Sequence, residues 1–168
     1  LLRGNEVCDD GNFDDFDGCT VSGGIELGWY CDRSSEPSMC WPIFADGLLR
    51  GMEICDDGNI QNDDGCSGTG EIEQGWLCDT FVEPTICHPE QNDGLLRGNE
   101  VCDDGNLDND DGCNEFGGIE QGWYCDRSSE PTACTAIMGD GLLRGNEVCD
   151  DGNFDDFDGC SQSGSVEQ

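Results

Sequence analysis

The chain repeats itself with a constant period of 47 residues, and this period constrains the fold more than any other feature. Four copies of the tetrapeptide LLRG mark the repeats and begin at Leu1, Leu48, Leu95 and Leu142. Residues 1–19 are identical to residues 142–160. Tandem units of this kind form arrays in which each unit contacts its neighbours. The sequence therefore predicts three complete repeats and a partial fourth, over residues 1–47, 48–94, 95–141 and 142–168.

Cysteine follows the same period. The 168 residues include 14 cysteines, at Cys8, Cys19, Cys31, Cys40, Cys55, Cys66, Cys78, Cys87, Cys102, Cys113, Cys125, Cys134, Cys149 and Cys160. So high a fraction is typical of secreted disulfide scaffolds. The chain has no C-x2-C pair and a single histidine, His88, which argues against zinc ribbons and zinc fingers. We therefore expect all of these cysteines to form disulfides, in a secreted, extracellular or cell-surface protein.

Each repeat is too short to be stabilised by an apolar core alone, so disulfides, bound ions and neighbouring repeats must contribute. Turn signals are frequent and no stretch keeps a helical apolar period. The segments GWYC (28–31), GWLC (75–78) and GWYC (122–125) predict short strands, and DRSSEPS after the first predicts a hairpin loop. The expected fold is small, disulfide-rich and irregular with short β-hairpins, its tandem 47-residue repeats stacked into an elongated rod or filament with LLRG at each junction.

The segment between the first two cysteines of each repeat carries oxygen-bearing side chains at five fixed offsets. These residues are Asp9, Asp10, Asn12, Asp15 and Asp17; Asp56, Asp57, Asn59, Asn62 and Asp64; Asp103, Asp104, Asn106, Asn109 and Asp111; and Asp150, Asp151, Asn153, Asp156 and Asp158. Calcium binds six to eight oxygens from carboxylates, amides and backbone carbonyls. We expect these residues to be calcium ligands, with one or more ions in each repeat.

Two other interpretations of these loops are weaker. An acidic run is often only a solvated turn, but four copies at fixed offsets between cysteines favour calcium. Magnesium prefers to keep its waters in a stricter octahedron. The loops also differ from the EF-hand pattern. A second ion site could use Glu6, Glu26, Asp32 or Asp46.

The formal net charge of −33 restricts the possible partners. Nucleic acids need lysine and arginine to replace their counterions, so a nucleic-acid partner is not expected. Anionic membrane surfaces are equally disfavoured, and no apolar run is long enough to span a bilayer. The expected partners are neighbouring repeats of the same chain and copies of the chain itself. The lack of an initiator methionine indicates a piece of a longer secreted protein.

The pattern GNEVCDDGN…DGC…GIELGWYC…C resembles the Myxococcus-type cysteine-rich disulfide repeat of large secreted and surface proteins. It is more distantly similar to the calcium-binding Lin-12/Notch repeat. The resemblance covers all four repeats and implies an extracellular, disulfide-bonded module without enzymatic activity, often in adhesive or surface proteins.

The resembled family has six cysteines in each repeat, and this chain lacks two of them. Their places are taken by Phe44, Gln91 and Met138, and by Gly23, Gly70, Gly117 and Gly164. Joint absence in every repeat suggests that the two normally pair with each other. The remaining four allow three connectivities. We favour Cys8–Cys19 and Cys31–Cys40, repeated along the chain, partly because the fourth repeat has only Cys149 and Cys160; the other pairings stay open.

These observations favour an extracellular structural array, a calcium-stabilised and disulfide-stapled fibre or surface stalk. The alternative is an array of ligand-binding or adhesion modules, which predicts one repeat with divergent exposed residues; the second repeat differs most. A calcium store is a further alternative. No recurring set of catalytic residues is present, so the chain is not expected to be an enzyme.

Overall fold

The computed structural model describes Leu2, Gly4 and residues 6–167, so that the predicted junction residue Leu1 lies outside the described part of the chain. The chain forms two compact units, residues 1–88 and 89–168. The described residues contain short strands and turns and no helix, which confirms the predicted small, disulfide-rich class of fold. None of them belongs to a helix with the length and apolar character needed to cross a membrane.

Each complete repeat contains one two-stranded hairpin. The six strands are β1 (Trp29–Asp32), β2 (Met39–Pro42), β3 (Trp76–Asp79), β4 (Ile86–Pro89), β5 (Trp123–Asp126) and β6 (Ala133–Ala136). They pair as β1–β2, β3–β4 and β5–β6. The strands begin one residue later than the GW segments predicted, because Gly28 has φ = +84°, a conformation outside the β region. In β1–β2 the antiparallel register places Cys31 opposite Cys40.

The cysteines form seven disulfides, and none of them is free. The pairs are Cys8–Cys19, Cys31–Cys40, Cys55–Cys66, Cys78–Cys87, Cys102–Cys113, Cys125–Cys134 and Cys149–Cys160. This is the connectivity favoured from the sequence. One disulfide closes each acidic loop and the other joins the two strands of a hairpin. So many disulfides indicate an oxidising environment.

The two disulfides of a repeat contact each other and form most of its core. Cys8 Sγ and Cys19 Sγ each lie 3.8 Å from Cys40 Sγ. A buried tryptophan completes the core of each complete repeat. In repeat 1 this is Trp29, which packs against the following repeat, because its Cη2 lies 3.1 Å from the position that a Cβ on Gly51 would occupy. Many larger apolar side chains stay exposed, such as Phe13 at 85%. The core is therefore as small as the sequence predicts.

The arginine of LLRG donates hydrogen bonds to the preceding repeat and to its own repeat. Arg50 Nε donates to the carbonyl of Leu27 in the preceding repeat, and Arg50 Nη1 donates to Glu83 Oε1 at 2.6 Å. Arg144 Nε likewise donates to the carbonyl of Gln121. LLRG therefore lies at the contact between repeats, as its position in the period predicts.

The positions where the resembled family has two further cysteines lie side by side across the repeat boundary. A Cβ on Gly70 would be 3.3 Å from Phe44 Cδ1, and a Cβ on Gly164 would be 3.2 Å from Met138 Sδ. The two positions come from successive repeats. Their proximity agrees with the inference that cysteines at these places would pair with each other.

Candidate cation site in the acidic loops

The first aspartate of each loop faces the repeat junction. Asp56 is 2% exposed. Its Oδ1 accepts hydrogen bonds from the backbone N–H groups of Gly47 and Gly58, at 2.9 and 2.8 Å, and its Oδ2 accepts one from the N–H of Asp46 at 3.1 Å. Asp56 therefore fastens the end of one repeat to the loop of the next.

The later repeats have the same arrangement. Asp103 accepts the N–H groups of Asn92, Gly94 and Gly105, each at 2.9 Å. Asp150 accepts four backbone N–H groups; although partial desolvation raises its pKa, these hydrogen bonds together lower it below the ordinary value. Backbone donors already occupy this set of predicted ligands (Asp9, Asp56, Asp103 and Asp150), so we do not include it in the ion site.

The second and the fifth of the five oxygen-bearing residues of the loop lie close together in repeats 2 and 3. In repeat 3, Asp104 Oδ1 and Asp111 Oδ1 are both buried and have no hydrogen-bond partner. Burial, and then the charge of Asp111, raises the pKa of Asp104. In repeat 2, burial raises the pKa of Asp57, and the charge of Asp64 adds to the effect. Each pair is an anionic group that lacks a counter-charge.

The asparagine of each loop orients the fifth aspartate. Its Nδ2 donates to the Oδ2 of Asp17, Asp64, Asp111 and Asp158 in the four repeats. Its Oδ1 accepts a backbone N–H two residues further on. These asparagines thus shape the loop, and in repeats 1 to 3 the other oxygen of the aspartate, Oδ1, is buried.

The remaining predicted ligands are exposed. They are Asp15, Asn62, Asn109 and Asp156. Asp15 Oδ1 accepts the N–H of Val21 at 3.2 Å. These side chains lie on the outside of the loop rather than beside the paired aspartates.

Glu26, a second-site candidate in the sequence analysis, and its counterparts Glu73 and Glu120 stabilise the loop backbone. Glu73 accepts the N–H groups of Asp63, Asp64 and Gly65, at 2.9, 3.1 and 2.9 Å. Glu120 makes the same three contacts in repeat 3, and Glu26 accepts the N–H groups of Phe16 and Gly18 in repeat 1. The residue at the loop's eighth position has positive φ in every repeat, at Phe16, Asp63, Asp110 and Phe157. Carboxylate binding to successive N–H groups stabilises this strained backbone.

Sequence analysis missed the hydroxyl residue that connects the loop to the hairpin. Thr132 is 4% exposed, and its Oγ1 accepts the N–H of Asp103 while its own N–H donates to the Asp103 carbonyl. Thr85 and Ser38 take the same place in the other repeats. The signal was available in the sequence, because a serine or threonine directly follows each Glu-Pro pair.

The other second-site candidates have separate surroundings. Asp32 accepts the N–H and hydroxyl groups of Ser34, which lower its pKa. Asp46 Oδ1 accepts the N–H of Leu48 at the junction. Neither residue lies in an acidic loop.

The paired aspartates fit a calcium ion. Oxygen is the ligand atom that calcium prefers, and unpartnered buried carboxylate oxygens are costly unless a cation or proton satisfies them. Among the described residues, no three carboxylates bring their oxygens within 4.8 Å of one another. Two carboxylates would therefore hold the ion, with backbone carbonyls and water completing its coordination.

Comparison with known proteins identifies the repeat. The family model described as "Domain of unknown function (DUF4215)" matches residues 26–69, 73–117 and 120–164. Each matched segment takes in one hairpin, one junction and the acidic loop that follows. No curated protein and no solved structure matches the chain. The match supports a cysteine-rich tandem repeat but neither the Myxococcus-type nor the Notch-like name, which stay predictions. Since the matched segments cover most of its length, the chain belongs to the DUF4215 family, as three tandem disulfide-bonded repeats.

Proposed function

We propose that the chain is an extracellular structural array whose acidic loops bind calcium, so that a bound ion stabilises each disulfide-stapled repeat. The array would serve as a fibre or surface stalk, with copies associating laterally. The disulfide-rich tandem repeats support an extracellular structural or binding module.

One observation carries the calcium proposal. Asp104 and Asp111 each present a buried oxygen without a protein partner in the same loop. The unpartnered oxygen of the fifth aspartate recurs at Asp17 and Asp64. A divalent cation between the second and fifth aspartates would neutralise both carboxylates and remove their repulsion.

Calorimetric titration of the oxidised chain with Ca²⁺ tests the proposal. We expect millimolar-range binding, and a gain in unfolding free energy of about 1.4 kcal/mol for one site at ten times its dissociation constant. Asp111→Asn should remove the repeat 3 site. Asp108→Asn is the matched control, because Asp108 lies exposed in the same loop and the charge change is identical.

Two outcomes would overturn the proposal. One is no calcium binding at millimolar concentration with the disulfides intact. The other is equal binding by the Asp111→Asn and Asp108→Asn chains. A calcium store is distinguished by its thermal unfolding, because a store binds many ions with little rise in melting temperature.

One feature of the first hairpin favours the alternative of a ligand-binding or adhesion array. Tyr30 and Trp41 stack on the exposed face of β1–β2, with ring centroids 6.4 Å apart, and are 63% and 45% exposed. The equivalent positions hold Leu77 and His88 in repeat 2, and Tyr124 and Thr135 in repeat 3. An adhesion role predicts a ligand that binds the wild-type chain and not the Trp41→Ala chain.

A further inference from the structure

Each repeat junction contains a buried glutamate with an unpartnered oxygen. Glu53, Glu100 and Glu147 are 9%, 7% and 8% exposed, and in each the Oε1 atom is buried without a hydrogen-bond partner. The other oxygen, Oε2, accepts the backbone N–H of Arg50, Arg97 or Arg144 at 2.7, 2.9 and 2.7 Å. In each of the three glutamates, one carboxylate oxygen therefore accepts a hydrogen bond and the other is buried without one.

Two aspartates add negative charge around this glutamate. Burial raises the pKa of Glu53, the N–H of Arg50 opposes that shift, and the charges of Asp56 and Asp46 raise it further. Burial, and then Asp103 and Asp93, act in the same way on Glu100. The first aspartate of each set belongs to the same repeat as the glutamate and the second to the preceding repeat. Three acidic groups thus interact at the first two junctions, Glu53 with Asp46 and Asp56, and Glu100 with Asp93 and Asp103.

The neighbouring arginine is directed away from these acids. Arg50 Nη1 donates to Glu83 and to the Leu49 carbonyl, and its Nε donates to the Leu27 carbonyl. Arg97 Nη1 donates to Glu130 and to the Leu96 carbonyl. The arginine therefore hydrogen-bonds the junction glutamate through its backbone N–H, and its side-chain charge lowers the pKa of Glu53 and Glu100 by less than the aspartates raise it.

A glycine holds the glutamate in place. A Cβ on Gly70 would lie 3.0 Å from Glu53 Cγ, and one on Gly117 would lie 3.1 Å from Glu100 Cγ. The side chain is therefore packed against the backbone of its own acidic-loop region. Its unpartnered oxygen stays at the junction instead of turning into solvent.

We propose that each repeat junction binds a second divalent cation, Ca²⁺, through the unpartnered oxygen of the buried glutamate and the aspartate that ends the preceding repeat (Asp46, Asp93 or Asp140). The three carboxylates are not all within 4.8 Å of one another. Glu53 Oε1 would bind the ion together with Asp46, and water would complete its coordination. Asp56, whose oxygens accept backbone N–H groups, adds negative charge without binding the ion. Since one of these acids comes from the preceding repeat, the ion fastens two repeats together, whereas the loop ion stabilises one.

Counting ions tests this proposal separately from the loop sites. The chain contains four acidic loops and three junctions, so full calcium occupancy is expected to be seven ions. The triple variant Glu53→Gln, Glu100→Gln, Glu147→Gln should lose three of them and keep the loop ions. The triple variant Glu71→Gln, Glu90→Gln, Glu115→Gln is the matched control, because these glutamates are exposed and the charge change is identical, and its stoichiometry should equal that of the wild type.

A second readout uses the wild-type chain and does not depend on how the variant folds. Calcium should shift the side-chain carboxyl ¹³C resonance of Glu100 and keep this group ionised at pH 5, whereas the exposed Glu115 should respond much less. Unchanged stoichiometry in the triple variant would overturn the proposal. So would a Glu100 resonance that titrates identically with and without calcium, which would show that a proton alone satisfies the junction. The Asp111→Asn chain should lose one ion and the triple variant three, which separates the loop sites from the junction sites.

Discussion

The same Asp-Asp pair has two different roles at neighbouring positions. Asp103 is buried and accepts three backbone N–H groups, two of them from the end of the preceding repeat. Asp104 instead faces Asp111 inside the loop and has an unpartnered oxygen. The sequence predicts both as equivalent calcium ligands, because it does not indicate the direction of each carboxylate.

We expect Asp103→Ala to destabilise the chain by about 2 to 4 kcal/mol, since it leaves buried N–H groups without an acceptor. The loss should persist in saturating calcium. Asp108→Ala is the control, because Asp108 is exposed in the same loop, and its loss should be smaller by at least about 1 kcal/mol. Urea unfolding of the oxidised chains measures both. Equal losses would contradict the role of Asp103 at the junction.

At the scale of elements, the hairpin and the acidic loop form a single unit. Cys113 Sγ lies 3.6 Å from Cys134 Sγ, and Thr132 hydrogen-bonds both backbone groups of Asp103. Gly112 makes this contact possible, because a Cβ at that position would lie 2.1 Å from Cys134 Cβ. The cysteine spacing predicts the loop and the hairpin, but not their contact through two stacked disulfides.

Gly112→Ala tests this contact against a matched glycine. Gly112 and Gly159 occupy equivalent positions at φ = +133° and +143°, but a Cβ on Gly159 would meet nothing closer than 3.7 Å. Both substitutions cost about 1 to 3 kcal/mol for the strained backbone. Only Gly112→Ala should cost a further ~1–3 kcal/mol and slow formation of Cys125–Cys134, because the hairpin must move. Thermal unfolding and thiol labelling during refolding measure the two effects, and equal behaviour would count against tight docking.

At the scale of the whole molecule, negative charge opposes folding. The net charge is −33, and all six basic residues are arginines. Three of these, Arg50, Arg97 and Arg144, lie at repeat junctions, where they donate hydrogen bonds to carbonyls and glutamates. The loop and junction carboxylates thus keep their repulsion unless protons or cations bind them.

Opposite pH dependences are therefore expected with and without calcium. The pKa values of Glu53, Asp57, Glu100 and Asp104 are raised by folding, so the folded chain binds more protons than the unfolded chain. Above the raised pKa values, these carboxylates are charged and their burial and mutual repulsion destabilise the folded chain. Without calcium, the unfolding free energy should therefore rise as pH falls from about 7 towards about 4, because protonation removes that destabilisation. With saturating calcium it should fall over the same range, because protons displace the ion. Melting temperatures in chelator and in calcium measure this, and parallel curves would contradict it.

The sequence by itself determined the period, the disulfide-rich class, the hairpins and the carboxylate-rich loops. Each of these depends on the spacing of residues along the chain, and this spacing recurs with the 47-residue period. The favoured cysteine pairing also corresponds to the disulfides of the structure, because both partners of each pair lie within one repeat.

The tertiary structure determined which acidic side chains lie close to one another. Asp56 binds the backbone of the preceding repeat, Asp57 faces Asp64, and Glu53 is buried beside Asp46. Carboxylates are alike in sequence, and their roles follow from burial and from the direction of nearby N–H groups. Those properties exist only once the loops, hairpins and junctions have come together.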